Sequence, residues 1–152
     1  MREILFKAKR LDNGEWVEGY LVKHPSAIQF GITNYSPWYI HRPPVNPDDN
    51  GGVYNIDPET VCQYIGLSDK NKKKIFEGDI LQYFDNEMQV VEWSDEYGQM
   101  MLHTYSEHER KKGRKVTKEI TDGWNYLDDY PLSDMTILGN IFDNPELLEV
   151  RS

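Results

Sequence analysis

Four histidines and one cysteine are the residues of this sequence best suited to chemistry. The segment HTYSEHE places His103 and His108 near Glu107, and imidazole and carboxylate groups are ordinary zinc ligands. The segment is predicted to run from a strand into a loop, however, and its spacing matches no compact zinc motif. We therefore expect surface residues here, with no metal site and no bound cofactor.

The cysteine, Cys62, would need a neighbouring base or a positive field to become a nucleophilic thiolate. His41 and Asp57 are conceivable partners, but the context ETVCQYIG is an apolar strand candidate that favours a small buried side chain. Paired carboxylates such as Asp48-Asp49 lie in loop segments, where solvated acids are the rule, and the glycines form no phosphate-binding pattern. We predict no catalytic residues, and an enzyme with an unrecognised site is kept as an alternative.

The segment SPWYIHR, residues 36–42, is the best candidate for a binding surface. It offers aromatic faces and a cation beside the irregular loop RPPVNPDDNGG, and such residue types are enriched at interface hot spots. Packing into a core would also explain part of the segment, because a strand with one buried face places alternate residues inside. The predicted contact residues are Trp38, Tyr39, His41 and Arg42.

Charge is unevenly distributed along the chain. The net charge of −9, from 17 basic and 26 acidic residues, repels phosphate backbones and disfavours a nucleic-acid binder. Ten of the basic residues nevertheless form two clusters, namely Lys70, Lys72, Lys73 and Lys74, and then Arg110, Lys111, Lys112, Arg114, Lys115 and Lys118. Solvated loop tips are the simpler interpretation. We expect a protein partner or self-association, with a nucleic-acid partner bound through segments 70–74 and 110–118 as the alternative.

Short alternating segments predict a mainly β fold, an antiparallel barrel-like or meander architecture. EILFKAKR and EWVEGYLV flank LDNG, which predicts a hairpin across residues 4–23 with its turn at Asn13-Gly14. Further strands are predicted at 26–32, 36–41, 60–65, 74–76, 79–84, 88–93, 99–105 and 136–142. Their short connections favour antiparallel pairing, and the polar segment 106–123 is predicted to be an insertion loop or an extended hairpin. DNPELLEV predicts a short C-terminal helix with Asn144 as N-cap and Pro145 at the first helical position.

The chain is expected to form a single domain over 1–152, with sub-parts 1–66, rich in hairpins, and 67–152, barrel-like. No stretch approaches the ~20 apolar residues that span a membrane. No segment has the pattern of a signal peptide, and a single cysteine cannot form an internal disulfide. We therefore expect a soluble cytoplasmic protein.

Three blocks of the sequence resemble the YopX family of phage and prophage proteins: REILFKAKRLDNGEWVEGYLV, IDPETVCQYIGLSDKNKKKIFEGDIL and ILGNIFDNPELLE. The resemblance implies a mostly β fold in a phage or prophage setting within a host bacterium, and it brings no accepted activity and no catalytic residues. Similar proteins often have Asn-Gly where this chain has Asn71-Lys72, and a small residue, often glycine, where it has Cys62. A lysine with positive φ is uncommon, so this turn is predicted to be looser or of another type. The leading hypothesis is a non-enzymatic phage accessory protein that acts by protein–protein contact.

Overall fold

A computed structural model of the protein describes residues 1–24, 36–84, 87–112 and 115–149, with the backbone alone over 106–112 and 115–122. The chain divides into two compact units, 1–66 and 67–152. The strand predicted at 26–32 lies outside the described residues. Both units are built from antiparallel strands, which confirms the expectation of a mainly β fold.

The first unit is an antiparallel sheet whose strand order is β4-β3-β2-β1-β5. Its strands are β1 Phe6–Lys9, β2 Trp16–Lys23, β3 Trp38–Arg42, β4 Gly52–Asn55 and β5 Cys62–Ser68, the last of which runs across the boundary between the units. The predicted first hairpin is confirmed, because Phe6 pairs with Gly19 and Lys9 with Trp16. Gly14 supplies the positive φ, +73°, that its turn requires.

One face of this sheet carries the core of the first unit. Ala8, Val17, Ile40 and Ile56 form the buried cluster, and Phe6, Leu21, Trp38, Tyr54 and Val61 pack against it. Strands β2 and β3 approach so closely that a Cβ at Gly19 would collide with the backbone oxygen of His41. Because side chains alternate along a strand, the opposite face receives the intervening residues.

The second unit contains a five-stranded sheet with the order β10-β9-β8-β7-β11, while β6 pairs with β5. The strands are β6 Lys74–Phe76, β7 Asp79–Gln82, β8 Glu87–Ser94, β9 Gln99–Lys112, β10 Lys115–Asn125 and β11 Thr136–Asn140. Pairing continues along β9 and β10 from Lys112↔Lys115 to Leu102↔Asn125. The polar segment is therefore an extended hairpin, one of the two arrangements that its sequence predicts.

Both faces of the five-stranded sheet bury apolar side chains. Ile80, Val90 and Met101 lie on one face, and Leu81, Val91 and Leu102 lie on the other; all six are at most 2% exposed. A sheet covered on both faces needs apolar residues at consecutive positions. The pairs Ile80-Leu81 and Val90-Val91 meet this need.

The meander alternative is confirmed, because β1–β4 and β7–β10 each pair in chain order. Two other details of the expected architecture are wrong. Among the described strands, neither sheet closes into a barrel. The residues that follow β1 and β4 are joined by an isolated bridge, Arg10↔Ile56. The predicted C-terminal helix is a single 3-10 turn, Pro145–Leu148, held by i→i+3 bonds such as Leu147 N–H to the Asn144 carbonyl. Starting an α-helix is costly, and a short segment adds few hydrogen bonds to offset that cost. The Asn144 side chain accepts the Asn140 N–H and makes no N-cap hydrogen bond.

The described part of the chain contains no helix of the length and hydrophobicity needed to cross a membrane.

Candidate binding face and polar clusters

The four predicted contact residues of β3 divide between the two faces of the first sheet. Trp38 packs against the core cluster, and Arg42 shares its face because the two positions differ by an even number. Tyr39 and His41 lie on the opposite face. The structure thus brings Tyr39 and His41 together and separates them from Trp38 and Arg42.

Arg42 binds the loop that follows its own strand. Its Nη1 and Nη2 atoms lie 2.6 Å and 2.8 Å from the two carboxylate oxygens of Asp49. The same carboxylate accepts the backbone N–H groups of Val45 and Gly51. The Arg42 guanidinium, together with these two N–H groups, holds the pKa of the Asp49 carboxyl well below its usual range. Arg42 therefore fixes the proline-rich loop to β3.

A row of three residues crosses the face opposite the core. Tyr20 on β2 pairs with His41 on β3, and His41 pairs with Val53 on β4. Tyr20 and Val53 are each 55% exposed, and His41 between them is half-buried. We call this row the Tyr20 face. Of the three residues, only His41 is among the contact residues predicted from the sequence, although the alternation of EWVEGYLV around a buried Val17 marks Tyr20 as facing outward.

Charged residues border the Tyr20 face along β1 and β2. Lys7 pairs across the strands with Glu18, an opposite-charge pair. The Nζ atoms of Lys7 and Lys9 lie 4.7 Å and 5.4 Å from the centroid of the Trp16 ring. The aromatic and apolar row is thus flanked by a mixed, partly cationic margin.

His24 and His41 form a close pair on the same side of the first sheet. Their Nε2 atoms lie 3.1 Å apart. The His24 ring stacks on Tyr39, with centroids 4.2 Å apart and an interplanar angle of 29°. The two histidines lie 17 positions apart in the sequence, and the β2–β3 pairing brings them together.

A second histidine cluster lies on the five-stranded sheet. His103 Nδ1 is 2.9 Å from Glu92 Oε2 and 3.2 Å from the Tyr105 hydroxyl. The ring of Trp124, itself 43% exposed, stacks on the imidazole with centroids 4.5 Å apart. A carboxylate at Nδ1 orients an imidazole for proton transfer, so the enzyme alternative has its best candidate base here. Glu107 and His108, predicted beside it, lie in the part of β9 described by its backbone alone.

The first basic cluster occupies the turn between β5 and β6. The Lys72 N–H donates to the Asp69 carbonyl and the Asp69 N–H to the Lys73 carbonyl. Lys72 has φ +62°, the uncommon left-handed conformation for a lysine. The turn is thus a tight one in which Lys72 adopts the left-handed conformation, and the expectation of a looser turn is wrong.

Asp69 anchors this turn beside an open pocket of about 590 Å³ whose lining includes Leu67, Lys70, Lys72, Tyr130 and Leu132. The Asp69 side chain itself is only 4% exposed. Burial raises the pKa of its carboxyl, but the N–H groups of Lys73, Ile137 and Asn71 outweigh this effect and hold the pKa below its ordinary value. The carboxylate is therefore part of the framework of the turn.

The second basic cluster falls at the end of the β9–β10 hairpin. Lys111 pairs with Val116 and Lys112 with Lys115. Arg110 and Lys118 stand further along the same two strands, whereas Arg114 lies outside the described residues. The backbone register thus gathers these predicted residues at one hairpin end within the second unit.

Cys62 is buried, as its context predicts, with 2% of its surface exposed. Its thiol donates to the Thr60 carbonyl at 3.2 Å. Within the described ranges, no three histidine, cysteine, aspartate or glutamate side chains are grouped closely enough to hold a metal ion.

A chain of polar side chains also crosses the five-stranded sheet, on the face opposite His103. The Tyr130 hydroxyl and Gln89 amide both donate to Glu87 Oε1 at 2.5 Å, and the Thr104 hydroxyl donates to Gln89 Oε1 at 2.5 Å. Gln89 is 1% exposed. Because these groups hydrogen-bond to one another, the sheet buries them without the penalty of unpaired polar atoms. No feature of the sequence predicts this set of hydrogen bonds.

The two antiparallel sheets, with short 3-10 turns and an exposed aromatic face, define a mainly β protein of two compact units. A family model described as YopX protein matches residues 6–149. The chain belongs to the YopX family. No curated protein matches it.

Proposed function

We propose that this YopX-family protein is a non-enzymatic accessory module, of phage or prophage setting, that binds a protein partner through the Tyr20 face. The observation that carries the proposal is the in-register row of Tyr20, His41 and Val53, whose two ends are each 55% exposed. Single exposed apolar residues are common on any protein, but residues in register on three adjacent strands form a contiguous patch.

The residue types of the face suit a protein surface. Tyrosine contributes a large, rigid contact area and a hydroxyl that hydrogen-bonds at the edge of an interface. The margin formed by Lys7, Lys9 and Glu18 resembles the polar rim that surrounds such contacts. The partner we propose therefore has an apolar patch bordered by carboxylates that complement Lys7 and Lys9.

This proposal revises the contact set within the SPWYIHR segment. It keeps His41 and adds Tyr20 and Val53. Tyr39 stays at the edge of the face, where the His24 ring stacks on it. Trp38 and Arg42 support the face from the other side, one through the core and the other through the Asp49 loop. Their substitution is expected to weaken binding indirectly, through loss of structure.

Affinity capture with paired variants tests the proposal. Tagged protein is incubated with infected-host lysate in the presence of nuclease and a chelator, and retained proteins are compared for wild type, Tyr20→Thr and Val53→Thr. Threonine keeps the β propensity of these positions while it removes apolar area. Trp93→Thr is the matched control, since Trp93 is 48% exposed but belongs to the second unit.

A partner that wild type and Trp93→Thr retain and both face variants lose supports the proposal. Loss of either face residue is expected to weaken binding by about 30-fold, the effect of a 2 kcal/mol hot spot. A partner retained equally by all four proteins contradicts it.

Nucleic-acid binding is the second candidate, favoured by the register that places Arg110, Lys111, Lys112 and Lys115 at one hairpin end. It predicts affinity for single-stranded DNA or RNA that falls steeply as salt rises, because each phosphate contact releases counterions. Apolar contact at the Tyr20 face predicts only a weak dependence on salt. Titration of fluorescent oligonucleotides at two salt concentrations separates the two candidates.

A further inference from the structure

Two imidazole rings held by the same pair of strands face each other through equivalent nitrogen atoms. The Nε2 atoms of His24 and His41 lie 3.1 Å apart, and the rings are inclined at 60°. We propose that His24 and His41 together bind one divalent transition-metal cation of the zinc class, with water completing its coordination.

The separation of the two nitrogens fits a single cation. Zinc–imidazole bonds are about 2.0–2.1 Å long, so a cation equidistant from nitrogens 3.1 Å apart makes an N–metal–N angle of about 95–102°. This angle lies between the right angle of octahedral or square sites and the tetrahedral angle. The two Nε2 atoms are at hydrogen-bond distance, and the ring centroids lie 5.4 Å apart. A cation would replace this contact once the two side chains turn so that both Nε2 lone pairs face it, while the strands stay in place.

The backbone holds both ligands in place before any cation binds. His41 lies on β3 with paired neighbours on either side, Tyr20 and Val53. The His24 backbone N–H donates to the Pro37 carbonyl at 2.6 Å. Stacking on Tyr39 orients the His24 ring along β3 towards His41. Ligands held in this way lose little conformational freedom on binding, which favours affinity.

The donor type selects the class of cation. Neutral imidazole is a ligand for zinc, copper and nickel, whereas magnesium and calcium prefer oxygen. With two protein nitrogens, the remaining positions are filled by solvent. This metal binding does not depend on the Tyr20 face having a protein partner, and it is measured with the protein alone.

Calorimetric titration of the metal-free full chain with zinc chloride tests the proposal. Wild type is expected to bind one equivalent, and His24→Gln and His41→Gln are each expected to weaken binding by about 100-fold, because bidentate attachment is lost. His103→Gln is the matched control and is expected to bind as wild type does, since His103 lies in the second unit. Zinc binding that survives in both His24→Gln and His41→Gln, or that is absent from wild type, overturns the proposal.

Copper spectroscopy provides a measurement that does not rely on the variants folding. With one equivalent of Cu²⁺ added to wild type, the electron paramagnetic resonance spectrum is expected to show superhyperfine splitting from two coordinated imidazole nitrogens. A spectrum with one nitrogen or none overturns the proposal. Circular dichroism of His41→Gln shows whether the sheet is intact in that variant. If the sheet is lost, the proposal is judged from His24→Gln, whose position directly follows β2, and from the copper spectrum of wild type.

Discussion

Asp69 and Ile137 are 68 residues apart in sequence, yet the Asp69 carboxylate accepts a hydrogen bond from the Ile137 backbone N–H at 3.1 Å. Its other oxygen accepts the N–H groups of Asn71 and Lys73, both at 2.9 Å. One buried anion thus ties the β5–β6 turn to β11 within the second unit. The turn between β5 and β6 is thus fixed in part by a contact with the last strand.

Asp69→Asn is expected to destabilise the protein by about 1–3 kcal/mol, because a carboxamide has one oxygen for three donors and turns its NH2 group towards at least one of the N–H groups. Urea denaturation measures the change in the free energy of unfolding. Asp128→Asn is the control: Asp128 borders the same pocket but is exposed, and its substitution is expected to change stability by less than about 0.5 kcal/mol. Equal stability of Asp69→Asn and wild type would show that the carboxylate does not hold the turn.

Lys72→Gly is expected to stabilise the protein by about 0.5–1 kcal/mol. The left-handed conformation costs a residue with a Cβ more than it costs glycine, and this gain exceeds the entropy that glycine loses on folding. Lys70→Gly removes the same charge at a neighbouring position that lacks a positive φ and is expected to lower stability. Thermal unfolding of both variants checks the prediction, which fails if Lys72→Gly is the less stable of the two.

The Arg42–Asp49 contact is expected to make stability depend on acidity. Because the folded state lowers the pKa of Asp49, the contact stabilises the protein fully above the ordinary aspartate pKa of about 3.9, and the stabilisation is lost as the pH falls below that value. Asp49→Asn should therefore melt at a lower temperature than wild type between pH 5 and pH 7, roughly the range above that pKa.

The difference in melting temperature between Asp49→Asn and wild type should narrow below about pH 4. Asp48→Asn is the matched control, since the neighbouring carboxylate is exposed and its removal is expected to leave the melting temperature unchanged across the range. A wild type that melts at the same temperature as Asp49→Asn near neutral pH would contradict a stabilising role for the contact.

Gly19→Ala is expected to destabilise the first unit by about 1–3 kcal/mol, the usual cost of overpacking. Its new Cβ would collide with the His41 backbone oxygen, which forces β2 and β3 apart. Gly123→Ala, on β10, meets no atom within 4 Å and is expected to be neutral or slightly stabilising. Denaturation curves compare the two, and similar stability of both variants would contradict the close approach of β2 and β3.

Local patterns in the sequence predict most of the strands. Asn13-Gly14 fixes the first hairpin, and the alternation around Val17 and the apolar runs at Ile80-Leu81 and Val90-Val91 mark strands correctly. The sequence predicts an α-helix where the structure has a 3-10 turn, because a proline after Asn144 is compatible with the start of either.

Contacts between distant segments could not be predicted in the same way. Nothing near Asp69 in the sequence indicates Ile137, and nothing near Gln89 indicates that the Thr104 hydroxyl will donate to its amide oxygen. The candidate site shows the same limit. SPWYIHR reads as one surface, but the period of a strand divides it, and only the pairing of β2, β3 and β4 brings Tyr20 and Val53 to His41.

Site-specific photo-crosslinking at position 20 tests the proposed binding face most directly. A photoreactive phenylalanine analogue replaces Tyr20, and in a separate protein it replaces Trp93, before both are irradiated in nuclease-treated infected-host lysate. We expect a discrete crosslinked protein from position 20 that is absent from position 93 and reduced by the additional substitution Val53→Thr. The same products from both positions, or none from position 20, would contradict binding through the Tyr20 face.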